Sequence, residues 1–235
     1  WADDAGRLDT AYGRFWRRFP LPADELPGET WTDESHRWVN DDGTFDQIKY
    51  VLDGLAEDPH SRRHVVTAWH PANASISTLP PCHYTWVVSV QGGALNLHLT
   101  QRSGDVAVGI PFNIAAYAIL ATMLANEAGF ELGSFGHSIV DAHIYCGRGE
   151  RGAWYADNLS ALQDRLADVE ARADYADVRR WLTSANPHAD DGHDHVPNLL
   201  EQLTREPLDR PSLSVADVPI DEVTFDDIEL SDYRS

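Results

Sequence analysis

The stretch NIAAYAILATMLANEAG, residues 113–129, decides how the rest of the chain is interpreted. It is apolar nearly all the way round a helix, which predicts a long buried helix, and Gly129 is placed to end it as a C-cap. Strand-like segments lie on both sides: HVVTAW (64–69), HYTWVVSVQ (83–91) and ALNLHLTQ (94–101) before it, and a strand ending near HIY (143–145) after it. Strands, a central helix and further strands predict an α+β fold, with helices packing a mixed or antiparallel sheet around a long buried central helix.

Turn and helix-end signals support this order. Gly92 and Gly93 separate two strand-like runs, which predicts a hairpin. Residues 20–44 are rich in Pro, Gly, Asp and Glu and are typical of an irregular surface segment. Thr44 is expected to open the next helix, with Gln47 completing a capping box, and Pro59 is expected to stop it.

The segment from Cys146 to about Asn198 differs in character from what precedes it. NLSALQDRLADVEARADYADVRRWL predicts one or two charged surface helices, and ANPHADDGHDHVP predicts a loop. Strand-like alternation returns at the end of the chain. We interpret residues 1–235 as a single catalytic domain that carries an inserted helical and loop region at about 146–198.

Composition narrows the possible partners and surroundings. The formal net charge of −20 disfavours nucleic acid and anionic membrane surfaces, because both would repel the chain. We see no apolar run of membrane-spanning length and no secretory leader. Two cysteines do not form a disulfide framework, which favours a reducing cytoplasm. Because the chain begins with Trp1 rather than Met, we expect its natural start to lie upstream.

The charged residues are an unusual selection. Lys49 is the only lysine against 17 arginines, and 26 aspartates outnumber 12 glutamates. Excess aspartate with almost no lysine indicates a protein adapted to high salt, where screening tolerates such charge. A genome of high GC content is the alternative explanation.

Cys82 lies in LPPCHYTW (79–86), between two prolines and a histidine. A cysteine is a nucleophile only as the thiolate, which nearby positive charge favours. Arg62, Arg63 and Arg102 could supply that charge if the fold gathers them. A buried structural cysteine is the alternative, and Cys146 is interpreted as one.

The stretch QRSGDVAVGIPFNIAAYA (101–118) combines a strand end, a glycine-containing turn and a helix start. Arg102 and Ser103 could bind a phosphate through guanidinium and hydroxyl donors. The amide of Asn113 offers a donor and an acceptor, which suits a ring edge such as uracil O4 and N3–H. A simple N-cap is the alternative for Asn113.

Two further groups of polar residues follow. In DAHIY (141–145), alternation along a strand puts His143 and Tyr145 on one face, where they could hold a sugar hydroxyl or merely form the polar tips of a half-buried strand. In HADDGHDH (188–195), the histidines could bind a metal, but a solvated loop is favoured and no metal is expected.

Taken together, these segments resemble the thymidylate synthase family. The resemblance is an ordered series: WADDAGRLDTAYGRFWR at the start, then SRRHVVTAWHP, LPPCHYTW, QRSGDVAVGIPFNIAAYA, DAHIY and LTREP. It covers residues 1–18, about 45–145 and about 199–233. The family's N-terminal segment and C-terminal tail are not seen within residues 1–235, Val140 stands where a glycine is common, and Thr100 replaces a common aromatic.

The resemblance implies a role for each matching residue. Cys82 resembles the nucleophile that adds to pyrimidine C6, and Asn113 resembles the residue that reads the pyrimidine edge. The other matches are Arg102 and Ser103 for phosphate in the same subunit, Arg62 and Arg63 for the partner's phosphate across a dimer, His143 and Tyr145 for the sugar hydroxyl, His83 and Gln101 for the site lining, and Asp105, Gly109, Phe112 and Trp1 for the folate.

The implied activity is methylation of dUMP at C5, with 5,10-methylenetetrahydrofolate as cosubstrate, in a homodimer with shared active sites. A pyrimidine hydroxymethylase shares the nucleophile and the folate and is the first alternative. Cytosine-specific hydroxymethylases tend to have Asp where Asn113 stands, so Asn113 favours uracil. An inactive nucleotide-binding paralogue is the second alternative.

Overall fold

The computed structural model describes residues 12–21, 35–77, 79–188 and 193–234. It divides the chain into two compact units. The sheet unit comprises Trp1–Gly104, Asn113–Asp141 and Leu213–Glu229; the insertion unit comprises Asp105–Phe112, Ala142–Ser212 and Leu230–Ser235. The single domain over 1–235 stays a prediction.

The described residues form both helices and strands, as the predicted α+β fold requires. The strands are Val65–Thr67 (β1), His83–Gln91 (β2), Ala94–Asp105 (β3), Glu131–His143 (β4), Ser212–Val215 (β5) and Ile228–Ser231 (β6). The helices are Tyr12–Arg17 (α1), Gln47–Glu57 (α2), Pro71–Ile76 (α3), Gly109–Ala128 (α4), Glu150–Ala167 (α5), Tyr175–Ala185 (α6) and Val196–Leu203 (α7). Short 3₁₀ helices occur at Ser35–Trp38, Arg172–Asp174 and Phe225–Asp227.

The main sheet has the order β1-β2-β3-β4, and β5 pairs with β6 in a separate sheet. β1 with β2 and β2 with β3 are antiparallel. Contacts between β3 and β4 advance together, from Asn96 with Ser134 to Gln101 with His137, as they do in parallel strands. The helix α4 connects β3 to β4, and a parallel pair needs such a crossover. The predicted mixed sheet is confirmed.

The predicted hairpin is also confirmed. β2 ends at Gln91 and β3 begins at Ala94, so Gly92 and Gly93 form the turn. Their φ angles of 61° and 86° lie in the left-handed region that glycine adopts without strain. Positive φ at both positions matches the twist of the flanking strands.

The core of the sheet unit lies on one face of the main sheet. Alternate residues of β2 and β3 are buried there, among them Trp86 and Leu97, and they pack with Val51 of α2 and Tyr117 of α4. α4 buries only one face, formed by Tyr117, Leu120, Ala121, Leu124 and Ala125. The predicted buried helix is therefore buried along one face, and Phe112 and Ile114 near its start are exposed.

α4 also corrects the membrane expectation. By length and composition it is long and apolar enough to cross a membrane. This is weak evidence, because the core helix of a globular protein passes the same test. Its Tyr117–Leu124 face packs in the sheet-unit core.

The start of α2 also differs from the prediction. The helix begins at Gln47, and its cap is Asp46, whose carboxylate accepts from the Lys49 amide at 2.9 Å. Thr44 is instead held in a preceding turn, where its hydroxyl and amide both contact Asp42. Threonine and aspartate can both cap a helix. Because Thr44 already bonds to Asp42 in the turn, Asp46 takes the cap position.

The insertion has a core of its own. α5, α6 and α7 bury Tyr155, Leu162, Val178, Leu182 and Leu200. The predicted charged helices correspond to α5 and α6. The predicted loop includes residues 189–192, which lie outside the described residues, and α7 begins at Val196.

Candidate active site

Cys82 lies at the end of the loop before β2, where backbone contacts hold it on both sides. Its amide donates to the Tyr12 hydroxyl at 2.9 Å. Its carbonyl accepts from the Arg102 amide at 2.8 Å, an extension of the β2–β3 ladder in which His83 faces Gln101. The thiol is half-buried and does not belong to the buried core cluster. The sheet register therefore presents this cysteine beside Arg102.

The Arg102 guanidinium donates hydrogen bonds to the loop that carries Cys82. Its Nε donates to the Pro81 carbonyl at 2.9 Å and its Nη2 to the Pro80 carbonyl at 2.8 Å. The guanidinium carbon also lies 5.9 Å from the centre of the Trp69 ring. The remaining N–H donors of the guanidinium can still bind an anion.

His83 is held as a neutral ring next to Cys82 in the chain. Its Nδ1 lies 2.8 Å from the Tyr117 hydroxyl, and its ring stacks on Tyr12 with centroids 3.5 Å apart. Burial, followed by the charge of His137, lowers the pKa of His83 to about 4. At neutral pH His83 therefore contributes hydrogen bonding and no positive charge.

Gln101 orients the amide of Asn113. Gln101 is only 2% exposed, and its Nε2 donates to the Ser103 carbonyl at 2.8 Å and to Asn113 Oδ1 at 3.0 Å. Its Oε1 accepts from His137 Nε2 at 2.9 Å. Because Gln101 donates to Asn113 Oδ1, the Asn113 Nδ2 donor points to the other side of the amide.

The N-cap alternative for Asn113 is wrong. α4 begins at Gly109, four residues earlier, so Asn113 lies in the second turn of the helix. Its half-buried amide is oriented by Gln101. This geometry suits recognition of a ring edge that presents one acceptor and one donor.

In the insertion unit, His143 and Tyr145 lie side by side. Their rings meet edge to face with centroids 4.9 Å apart, and the His143 carbonyl accepts from the Val106 amide at 2.8 Å. β4 ends at His143, so ring contact rather than strand alternation pairs them. The exposed Tyr145 ring can reach a ligand hydroxyl.

Asp105 closes the turn before α4. Its carboxylate accepts from the Ala107 and Val108 amides at 3.1 Å and from the Gly109 amide at 3.4 Å. Phe112, in the first turn of α4, is 73% exposed. Asp105 and Phe112, two of the predicted folate contacts, therefore both lie near the start of α4. Trp1, the other predicted folate contact, lies outside the described residues.

Arg62 and Arg63 lie apart from the Cys82 loop. They are exposed in the segment between α2 and β1, beside a cavity of about 320 Å³ that Asp58, His60 and Ser61 also line. Within the described residues, no hydrogen bond or ion pair joins them to Cys82 or Arg102.

Sequence reasoning missed three residues that contact Cys82, His83 or Gln101: Tyr12, Tyr117 and His137. His137 could have been found, since it precedes His143 on β4 by an even number of residues and so shares its face. Tyr12 and Tyr117 come from helices, and no local pattern pairs them with His83.

Cys146 is half-buried, and burial raises the pKa of its thiol, as expected for a structural cysteine. In the described ranges, no three His, Cys, Asp or Glu side chains form a metal-binding group.

The mixed sheet, the crossover helix and a half-buried cysteine held beside an arginine are the arrangement that the predicted class, an enzyme with a thiol nucleophile, would need. The chain matches the family model described as thymidylate synthase over residues 1–235. It is also 65% identical over 236 residues to a thymidylate synthase of Haloferax volcanii, an alignment that covers 99% of this chain and 69% of that protein. The chain therefore belongs to the thymidylate synthase family.

Membership of this family confirms the predicted fold class and activity. The protein is a methyltransferase that converts dUMP to dTMP, and 5,10-methylenetetrahydrofolate is its cosubstrate. The Haloferax relative is also consistent with the halophilic source that the composition indicates.

Proposed function

We propose that methylation proceeds through a covalent bond between Cys82 Sγ and C6 of the pyrimidine. The observation that carries this proposal is the placement of Cys82, whose half-buried thiol lies on a loop that the β2–β3 register and the Arg102 contacts to the Pro80 and Pro81 carbonyls hold in place. Addition of the thiolate to C6 moves the electron pair of the C5–C6 double bond towards O4, and C5 becomes nucleophilic. The folate supplies the one-carbon unit and the hydride that completes the methyl group.

Asn113 recognises the ring and stabilises the charge on it. Its Nδ2 donates to O4, where negative charge develops, and Oδ1 keeps a lone pair for N3–H. Because Gln101 fixes the amide beforehand, little reorganisation is needed as the charge forms. In this assignment Arg102 and Ser103 bind the phosphate, and His143 and Tyr145 bind the sugar hydroxyl.

The folate is assigned to the turn before α4. The exposed face of Phe112 packs against its flat ring system, and Asp105 and Gly109 accommodate the polar edge of that ring. The exposure of Phe112 and the carboxylate fixed by backbone amides support this assignment.

The protein is proposed to act as a symmetric homodimer with shared sites. Arg62 and Arg63 are exposed and unconnected to Cys82 within the described chain, as residues that serve a partner subunit would be. The outer side of β4 is also exposed, with Leu132 and Val140 at its surface, which is the kind of apolar surface that a second copy could cover. We assign the enzyme to the cytoplasm of a halophile, without a nucleic acid or membrane partner, on the basis of its charge of −20.

One experiment tests the chemistry. Full-length protein is incubated in high-salt buffer with dUMP and methylenetetrahydrofolate, and the nucleotide product is analysed by mass spectrometry. The expected product is dTMP. A hydroxymethylated nucleotide would assign the protein to the hydroxymethylases, and unchanged dUMP would favour a binding protein.

Subunit complementation tests the shared site. Arg63→Ala and Cys82→Ser proteins should each be inactive or nearly so alone, and a mixture should recover a fraction of the wild-type activity. Recovery is expected because one site in each heterodimer combines an intact Cys82 with an intact Arg63. If subunit exchange is verified by mass and no activity returns, the shared-site assignment fails.

A further inference from the structure

The insertion contains a buried polar pair with no part in the chemistry proposed above. The Tyr155 hydroxyl of α5 lies 3.0 and 2.8 Å from the two carboxylate oxygens of Asp194, just before α7. Both residues are buried, Asp194 to 3% exposure. The Val196 amide also donates to Asp194, at 3.1 Å. Hydrogen bonds of this kind offset the cost of burying a carboxylate, so the pair fixes residues 194–196 against α5.

His195 lies between Asp194 and Val196 in the chain and contacts Tyr145. Its backbone amide donates to the Tyr145 carbonyl at 2.9 Å. Its ring also meets the Tyr145 ring edge to face, with centroids 6.3 Å apart. Tyr145 lies two residues beyond the end of β4, so no strand ladder holds it. His195 is thus a main support of the Tyr145 backbone.

The same histidine faces Asp105. Its Nδ1 lies 3.9 Å from Asp105 Oδ2 and makes no hydrogen bond in the described part of the chain. One residue therefore contacts the proposed hydroxyl ligand and stands beside the proposed folate carboxylate. A displacement of residues 194–196 would disturb both.

We propose that the Tyr155–Asp194 pair is a positioning device, by which the insertion places His195 and so holds Tyr145 ready for the sugar 3′-hydroxyl. This proposal rests on the proposed function, because it takes Tyr145 to be a ligand of that hydroxyl. It gives the insertion a role in nucleotide recognition beyond its own packing. Tyr155 and Asp194 are positioning residues in this scheme, since neither touches the nucleotide.

The test measures how strongly the protein distinguishes dUMP from 2′,3′-dideoxyuridine 5′-phosphate, which lacks the 3′-hydroxyl. Dissociation constants for both nucleotides are obtained by calorimetry. Tyr155→Phe removes only the hydroxyl that binds Asp194. It should weaken dUMP binding by roughly five- to tenfold and leave binding of the dideoxy nucleotide nearly unchanged, because a hydrogen bond to the 3′-hydroxyl contributes about 1 kcal/mol.

Two further variants separate a loss of positioning from a general loss of stability. Asp194→Asn retains an acceptor for Tyr155 and for the Val196 amide, and it should show a smaller loss of discrimination in the same direction. Val178→Ala creates a cavity in the same helical core without touching the pair. It should lower the melting temperature while keeping the wild-type discrimination.

Each outcome decides the proposal. If Tyr155→Phe and Asp194→Asn lower the melting temperature but keep the wild-type ratio of dissociation constants, as Val178→Ala should, the pair is only structural and the inference is overturned. If the wild-type protein itself does not distinguish the two nucleotides, the assignment of Tyr145 fails first, and the inference fails with it. Loss of discrimination in the two pair variants alone supports the positioning role.

Discussion

The sheet unit and the insertion unit each contain a polar network, but they hold their functional residues by different means. In the sheet unit, the backbone around Cys82 is bonded directly, by the β2–β3 register and by the Arg102 guanidinium on the two carbonyls before it. In the insertion unit, Tyr145 lies beyond its strand and receives a bond from His195, whose position depends on the Tyr155–Asp194 side-chain pair. Backbone-held residues should tolerate loss of single side-chain contacts, and side-chain-held residues should not.

The largest expected effect comes from removing the nucleophile. Cys82→Ser should lower kcat by on the order of 10⁴-fold or more, because the hydroxyl is not ionised at neutral pH and cannot add to C6. Binding of dUMP should persist, since phosphate and ring contacts come from other residues. Steady-state kinetics and calorimetry give the two values.

Cys146→Ser is the matched control for that substitution. It changes the other cysteine of the chain, which lies in the insertion unit, and should leave turnover close to that of the wild type. Near-normal turnover of Cys82→Ser would remove this cysteine from the mechanism.

Acidification should destabilise the sheet unit through His83. Its folded pKa of about 4 lies below its unfolded value of about 6.5. The unfolded state therefore binds more protons between these values, and stability is present above pH 6.5 and lost as the pH falls towards 4. The loss attributable to His83 should be about 3 kcal/mol at most.

Urea unfolding at pH 7 and pH 5 measures this dependence. His83→Gln, which cannot titrate, should show a flatter dependence than the wild type over this range. If wild type and variant lose equal stability on acidification, other groups account for the change.

The sequence predicts the elements that local backbone signals define, and it misses the contacts between side chains of distant elements. Alternation and the glycine pair locate β2, β3 and their turn, because those signals are local. The order of Cys82, Arg102 and Asn113 could also be recognised, since the residues lie on or next to these elements. The contacts of His137 with Gln101 and of Tyr155 with Asp194 depend on tertiary packing, and no periodicity in the sequence predicts them.

Exchanging the ring-reading amide should have a smaller effect, on specificity. Asn113→Asp removes the donor that faces uracil O4 and leaves a carboxylate that can accept from the amino group of cytosine. A mismatched polar contact in the half-buried site costs on the order of 1–3 kcal/mol. The ratio of kcat/KM for dUMP over dCMP should thus fall about tenfold or more. Circular dichroism checks folding, and an unchanged ratio would limit Asn113 to a structural contact with Gln101.

The smallest expected effect is that of a substitution that tests whether the remaining contacts keep Cys82 in place. Tyr12→Phe removes the hydroxyl that accepts from the Cys82 amide and keeps the ring that stacks on His83. The Arg102 amide and guanidinium still hold the loop from the other side, so Cys82 should move little. The lost bond is worth about 0.5–1.5 kcal/mol, which corresponds to a fall in kcat/KM of roughly two- to tenfold.

The effect of Tyr12→Phe should be confined to reactivity. The dissociation constants for dUMP and its dideoxy analogue should keep their wild-type ratio, which Tyr155→Phe is expected to lower. If Tyr12→Phe instead abolishes turnover as Cys82→Ser does, the backbone ladder does not suffice to place the thiol, and the contrast between the two units is wrong.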